Sequence, residues 1–139
     1  MKITLCGSLQ FINEMKNVES QLTQLGHHVL VPESAIEGRN KEYWNNIKKD
    51  NIQEFSNVMG KRILLHFGKI DSSDAVLILN FDKNGKRNYI GPNTFLEMGH
   101  AFGMKKKIFT LNPLPEDSHN DELVSMSSIN INNNLHNIH

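Results

Sequence analysis

The stretch GPNTFLEMGHAFG, residues 91–103, carries a single carboxylate, Glu97, one turn into a helical pattern and just behind a Gly-Pro-Asn-Thr loop. Two chemistries fit a carboxylate in that place. With Thr94 as N-cap, Thr94 and Glu97 have the T-x-x-E spacing of a capping box, which is worth about 1 kcal/mol to a helix. The same side chain, at the mouth of a crevice and favoured in its charged form by the helix N-terminus, is a candidate nucleophile. The two roles need not exclude each other.

The elements that must position Glu97 follow from the apolar pattern. KITLC is β-rich and ends at Gly7-Ser8; Phe11, Ile12, Met15, Val18, Leu22 and Leu25 then recur at helical spacing until Gly26. HHVLVP supplies a second strand closed by Pro32, and residues 33–41 are expected to be loop. From about Tyr43 to Ile70 the apolar positions predict one long helix, which Gly60 or Gly68 would bend or split. DAVLILN is a continuous apolar run of the kind covered on both faces in a parallel sheet. A helix from about Thr94 to Phe102 and a fourth strand, KIFTLN, follow; NDELVSM reads as a short helix and SININ as a short edge strand. NNNLHNIH is too polar to serve a core and is expected to be mobile.

Strands alternating with helices predict a single α/β domain: a doubly wound, flavodoxin- or Rossmann-like parallel sheet of four to five strands with helices on both faces. Its expected extent is residues 1–128, with 129–139 a polar Asn-rich tail. Ligands in such sheets bind beyond the carboxyl ends of the strands. That rule selects the loops after each strand, and Glu97 stands one turn past the third.

Composition narrows the partners. The 139 residues include 15 basic and 15 acidic side chains, so no bulk charge awaits a nucleic acid polymer or an anionic membrane. No stretch approaches the ~20 apolar residues of a membrane span, and the N-terminal run is too short for a signal peptide. Cys6 is the only cysteine; it excludes an internal disulfide, reads as a small buried hydrophobe rather than a nucleophile, and fits a cytoplasmic setting. The seven histidines show no metal-ligand spacing, and Walker A, full G-x-G-x-x-G and nucleophile-elbow motifs are missing, so neither a metal nor a cofactor is expected.

The CGS after the first strand, SDAVLILN, and GPNTFLEMGHAFGMKKKIFTLNP together resemble the nucleoside 2-deoxyribosyltransferase superfamily, which includes nucleoside monophosphate N-glycosidases. The resemblance runs from about Lys2 to Pro113, and Glu97, Gly99 and Ala101 form its most specific part, the small pair allowing close packing on the sheet. It implies that Glu97 is the nucleophile at the anomeric carbon, forming a glycosyl-enzyme resolved by water or a second base. An oxocarbenium-like transition state suits an ionised carboxylate, and the carboxylate needs a sugar-sized hollow in front of it.

The resemblance further implies that Gly7 and Ser8 hold the sugar or a 5′-phosphate, with Phe11 near base or sugar; Gly7 otherwise permits a tight turn, and Phe11 is otherwise core. Gln10 stands where the monophosphate hydrolases carry an arginine. Eight residues before Asp74, where the family has a base-orienting aspartate, stands His66, on the inward stripe of its helix. A histidine titrates near neutrality and can hand a proton to a leaving base. Asn80, Gly91, Asn93 and Thr94 are candidate sugar contacts, with turn or cap chemistry as their other reading. The expected ligand is a nucleoside or nucleotide, cleaved or transferred at its base; a catalytically silent nucleotide-binding sensor is the alternative. A homodimer or higher homo-oligomer is implied, with PLPEDSHNDEL as the candidate contact.

Overall fold

The computed structural model describes residues 1–117 and 119–139. Five strands, β1 (Lys2–Cys6), β2 (His28–Leu30), β3 (Ala75–Ile78), β4 (Lys107–Thr110) and β5 (Ile129–Asn130), form one sheet in the order β2-β1-β3-β4-β5. Every pairing is parallel. The chain steps outward from β1 to β2, then returns to the other side of β1 and continues through β3, β4 and β5. The winding therefore reverses between β1 and β3, the crevice-forming position of a doubly wound sheet.

The helices are α1 (Ile12–Gln24), α2 (Glu33–Glu37), α3 (Lys41–Asp50), α4 (Ile52–Asp71), α5 (Pro92–Gly103) and α6 (Asn120–Ser125). Strand alternation divides the core. Ile3 and Leu5 of β1, with Ala75, Leu77 and Phe109, pack on α1 through Met15, Val18 and Leu22. Cys6, Val76, Ile78 and Ile108 face the other way, onto Ile70 of α4 and Met98 and Ala101 of α5. Each face of the sheet is thus covered by helices, as the apolar run of β3 requires.

Four expectations change. The long helix is two, divided at Asn51 rather than at a glycine: Asn51, extended at φ −152°, accepts a hydrogen bond from the Glu54 N–H and starts α4 afresh. Residues 33–37 are helical, entered through Pro32 and ended by Gly38 at φ 72°. Helix α5 begins at Pro92, with Gly91 as N-cap, so Thr94 is inside the helix and Glu97 is no capping-box partner. The Asn-rich end joins the core: Ile131 and Ile138 are buried against the α1 face, and the Ile131 N–H donates to the Thr110 carbonyl. Asn residues punctuate that segment with turns while two isoleucines anchor it.

Candidate active site

The buried stripe of α5 is Thr94, Glu97, Met98 and Ala101, which puts a carboxylate on the face that packs against the sheet. On α4 the fully inward positions are His66 and Ile70, one turn apart. Cys6 closes β1 on the same side of the sheet. Three side chains far apart in sequence therefore meet behind the carboxyl ends of β1 and β3, at the reversal of the winding.

Glu97 is 4% exposed and His66 6%. His66 Nε2 lies 3.1 Å from Glu97 Oε2 and 3.1 Å from the Leu5 carbonyl oxygen. A carbonyl only accepts, so the Nε2 proton points to Leu5; the approach to Glu97 is a contact without hydrogen-bond alignment, and Glu97 Oε2 is buried with no hydrogen-bond partner. The other carboxylate oxygen, Oε1, accepts from Asn93 Nδ2 at 3.3 Å. One oxygen is thus steered by Asn93 and the other is left free. Buried polar atoms are rarely left so unless a ligand or water meets them.

Cys6 Sγ lies 3.7 Å from His66 Nε2. Burial, reinforced by the charge of Glu97, pushes the Cys6 thiol well above its ordinary range. It carries its proton and is no nucleophile. Nor do the three form a relay of the Ser-His-Asp kind, because Cys6 and Glu97 both approach the same imidazole nitrogen.

In front of Glu97 and His66 is a hollow of about 40 Å³, walled by Leu9, by Pro32, Glu33 and Ser34, by Met59, Arg62 and Ile63 of α4, and by Asn93. At roughly 15 Å³ per water it admits two or three waters and no pentose. The expected sugar-sized opening is therefore closed, and α2 forms one of its walls. Lys69 Nζ donates to Glu33 (2.8 Å) and to the Val31 carbonyl (2.7 Å), Arg62 holds Glu37 (2.8 Å), and Trp44 Nε1 donates to Ser34 (3.1 Å). Lys69 also holds the carboxyl of Glu33 below the usual range. A wider cleft, about 750 Å³, lies between residues 86–92 on one side and residues 113–117 with His119 on the other. It holds Gly91 from the expected set but neither Glu97 nor His66, and its Lys86 and Arg87 are balanced by Glu116 and Asp117. The smaller hollow has the chemistry.

The remaining expected residues divide. Ser8 lies beside Leu9 at the edge of the site, its hydroxyl accepting from the Gln10 N–H at 3.3 Å; Gln10 itself is exposed. Gly7 is buried where a Cβ would come within 3.2 Å of Leu79 Cβ, which gives it a packing reason. Phe11 is core, edge-on to Phe81 at 5.2 Å. Asn80 is a clamp: Nδ2 donates to the Asn112 and Pro113 carbonyls, both at 2.9 Å, and Oδ1 accepts from the Asn112 N–H at 3.0 Å. It has nothing left for a sugar. Gly91 lies under Tyr89, whose hydroxyl would sit 2.9 Å from an added Cβ; Thr94 is buried in α5; Asn93 reaches Glu97. Gly99 faces outward with nothing within 4 Å of a Cβ, so only Ala101 packs closely. Pattern reading missed Cys6 and Arg62. Arg62 lines the hollow with Nη1 buried and unpartnered, and its position four before His66 on the same stripe was the available signal.

No protein-family model and no curated protein sequence matches the chain. Among solved structures it is similar to the CMP N-glycosidase BcmB of Clostridium botulinum, with a TM-score of 0.54 and 16% identity over 96% of this chain and 91% of that one. The chain shares the fold of that structure. At this identity the likeness is one of fold. The doubly wound α/β class is as expected. No helix among the described residues is long and apolar enough to cross a membrane.

Proposed function

We propose that this protein cleaves or transfers the base of a nucleoside or nucleotide through a covalent intermediate on Glu97. The observation that carries this is the free, buried Oε2 of Glu97, 3.1 Å from His66 Nε2 at the switch point of a fold shared with a CMP N-glycosidase. Oε2 bonds to the anomeric carbon as the C–N bond breaks; the electron pair leaves with the base, His66 in its imidazolium form gives the base a proton, and the group that later opens the ester returns one to His66. Asn93 holds Oε1 and so aims Oε2. Water or a second base then displaces the ester, and Glu97 is regenerated.

Arg62 deepens the reading. Gln10 leaves the loop after β1 without a cation, whereas Arg62 lines the same hollow and has one guanidinium nitrogen without a partner. A 5′-phosphate would meet it there. Entry requires α2 to swing away from α4, breaking contacts that are mostly part-exposed and individually weak.

Incubating the protein with CMP, cytidine and a panel of other nucleosides and monophosphates, with released base read by chromatography, tests this. Release that drops roughly 10⁴-fold in Glu97→Gln supports it; undiminished release refutes it. The closed hollow is the observation that favours the second reading, a nucleotide-binding sensor without turnover. Saturable binding by calorimetry with no base released over hours would establish that one. We also assign a homo-oligomeric state, supported by the exposed apolar side chains Leu64, Leu96 and Val124 on neighbouring helices; the segment 113–123 first expected to make the contact includes Ser118, which lies outside the described residues.

A further inference from the structure

Cys6, His66 and Glu97 form a group that the glycosyl chemistry alone does not explain. Their potential donor atoms all lie within 4.8 Å of one another, and all three residues are buried. The separations are 3.1 Å from His66 Nε2 to Glu97 Oε2 and 3.7 Å from His66 Nε2 to Cys6 Sγ. A tetrahedral ion with the usual zinc bond lengths sets nitrogen–oxygen and nitrogen–sulfur edges of roughly 3.4 and 3.6 Å. The three donors are therefore within a few tenths of an ångström of two edges of such a tetrahedron.

Two further features point to a ligand. Glu97 Oε2 is enclosed and has no hydrogen-bond partner, and His66 Nδ1 is enclosed and likewise unpaired. The hollow of about 40 Å³ that both residues line adjoins the group and has room for a small polar molecule at a fourth position. Three protein ligands and one open corner is the arrangement of a reactive, rather than purely structural, zinc site.

The geometry points to a thiophilic divalent cation, Zn²⁺ or Co²⁺, bound by Cys6 Sγ, His66 Nε2 and Glu97 Oε2. Thiolate, imidazole and carboxylate together select such an ion over Mg²⁺ or Ca²⁺, which take oxygen ligands. Binding releases one proton, from the thiol to solvent. For Nε2 to face the ion the ring turns off the Leu5 carbonyl, which it now bonds at 3.1 Å, and its proton moves to Nδ1, now without a partner. The ion uses the oxygen assigned above to attack on the sugar, so metal and substrate exclude one another at Glu97. Metal binding itself requires only the three side chains and not the glycosyl reaction.

Cys6 is the only cysteine of the chain, so any thiolate-to-metal signal belongs to it. Apo-protein, freed of metal with a chelator and checked for folding by circular dichroism, is equilibrated with Co²⁺ overnight. Expected are a near-ultraviolet thiolate-to-cobalt charge-transfer band saturating at one ion per chain, its displacement by Zn²⁺, and its loss in Cys6→Ser. Glu97→Gln should weaken Co²⁺ binding by more than the roughly 10- to 100-fold that even an outer-sphere partner costs. No band from folded protein, or an undiminished band in Glu97→Gln, overturns the site. Where wild type releases base, Zn²⁺ should stop release and chelator restore it; full release at saturating Zn²⁺ overturns the exclusion. Absence of base release in every condition would instead count against the glycosyl reading and leave the cobalt spectrum to decide on the metal.

Discussion

Replacing Arg62 with alanine separates a nucleotide site from a nucleoside site. Arg62 Nη2 holds Glu37 at 2.8 and 3.0 Å, its guanidinium lies 5.6 Å from the centre of the Trp44 ring, and Nη1 is buried without a partner. Loss of the part-exposed ion pair costs up to about 1 kcal/mol of stability, and loss of the stacking up to about another. The variant should fold. A charge-assisted hydrogen bond to a 5′-phosphate is worth about 1.5–3 kcal/mol, so kcat/KM for CMP should fall roughly 10- to 150-fold. Cytidine, which has no phosphate, should change less than about 3-fold beyond what the small stability loss imposes. The assay is base release measured for both substrates on the same preparations, with the ratio of the two losses as the readout. Arg62→Lys, which keeps the charge but not the fork, should fall between. Equal losses for CMP and cytidine would show that Arg62 acts only by holding α2, and the phosphate assignment would be wrong.

Other expectations follow from the same contacts. The Cys6 thiol keeps its proton in the folded chain well above the unfolded thiol's pKa of about 8.5, so native protein carries one more proton than unfolded between the two values. Stability must fall there as pH rises, by up to about 1.4 kcal/mol per unit; urea midpoints at pH 8 and 9.5 should diverge, and Cys6→Ser should remove that part of the slope. Asn80→Ala breaks three bonds to residues 112–113 and should cost about 1–3 kcal/mol in urea unfolding while kcat is little changed; a kcat loss without a stability loss would return Asn80 to the substrate. His66→Gln should lower base release about 10²–10⁴-fold, and a smaller loss for substrates whose leaving base needs no proton would confirm the role as acid. Light scattering should return a mass above that of one chain, and a monomer at all concentrations would refute the oligomer.

The strands and the sheet were legible because a parallel strand covered on both faces reads as an unbroken apolar run, and DAVLILN is one. His66 was legible as an inward position on a helical stripe, and Glu97 as a carboxylate one turn past the loop that follows the third strand. The helix start was misjudged although its signal was present: a proline at the first helical position outweighs a Thr-x-x-Glu spacing, and Pro92 follows Gly91. Asn51 and Glu54 offered the true break in the middle helix, which the glycines obscured. What the sequence hid is long-range. Cys6 meets His66 and Glu97 only because β1 presents its even positions to α4 and α5, a matter of register and sheet face. One wall of the closed hollow is α2, five residues held by Lys69 and Trp44 from other elements rather than by propensity.

The most direct measurement is mass spectrometry of protein quenched in acid during turnover of CMP or a deoxynucleoside, followed by proteolysis. A pentose or pentose-phosphate increment should appear on the peptide containing Glu97, and Glu97→Gln should show neither the increment nor released base. Base released at the wild-type rate by Glu97→Gln, or an increment carried on another peptide, would contradict the assignment of Glu97 as the attacking group.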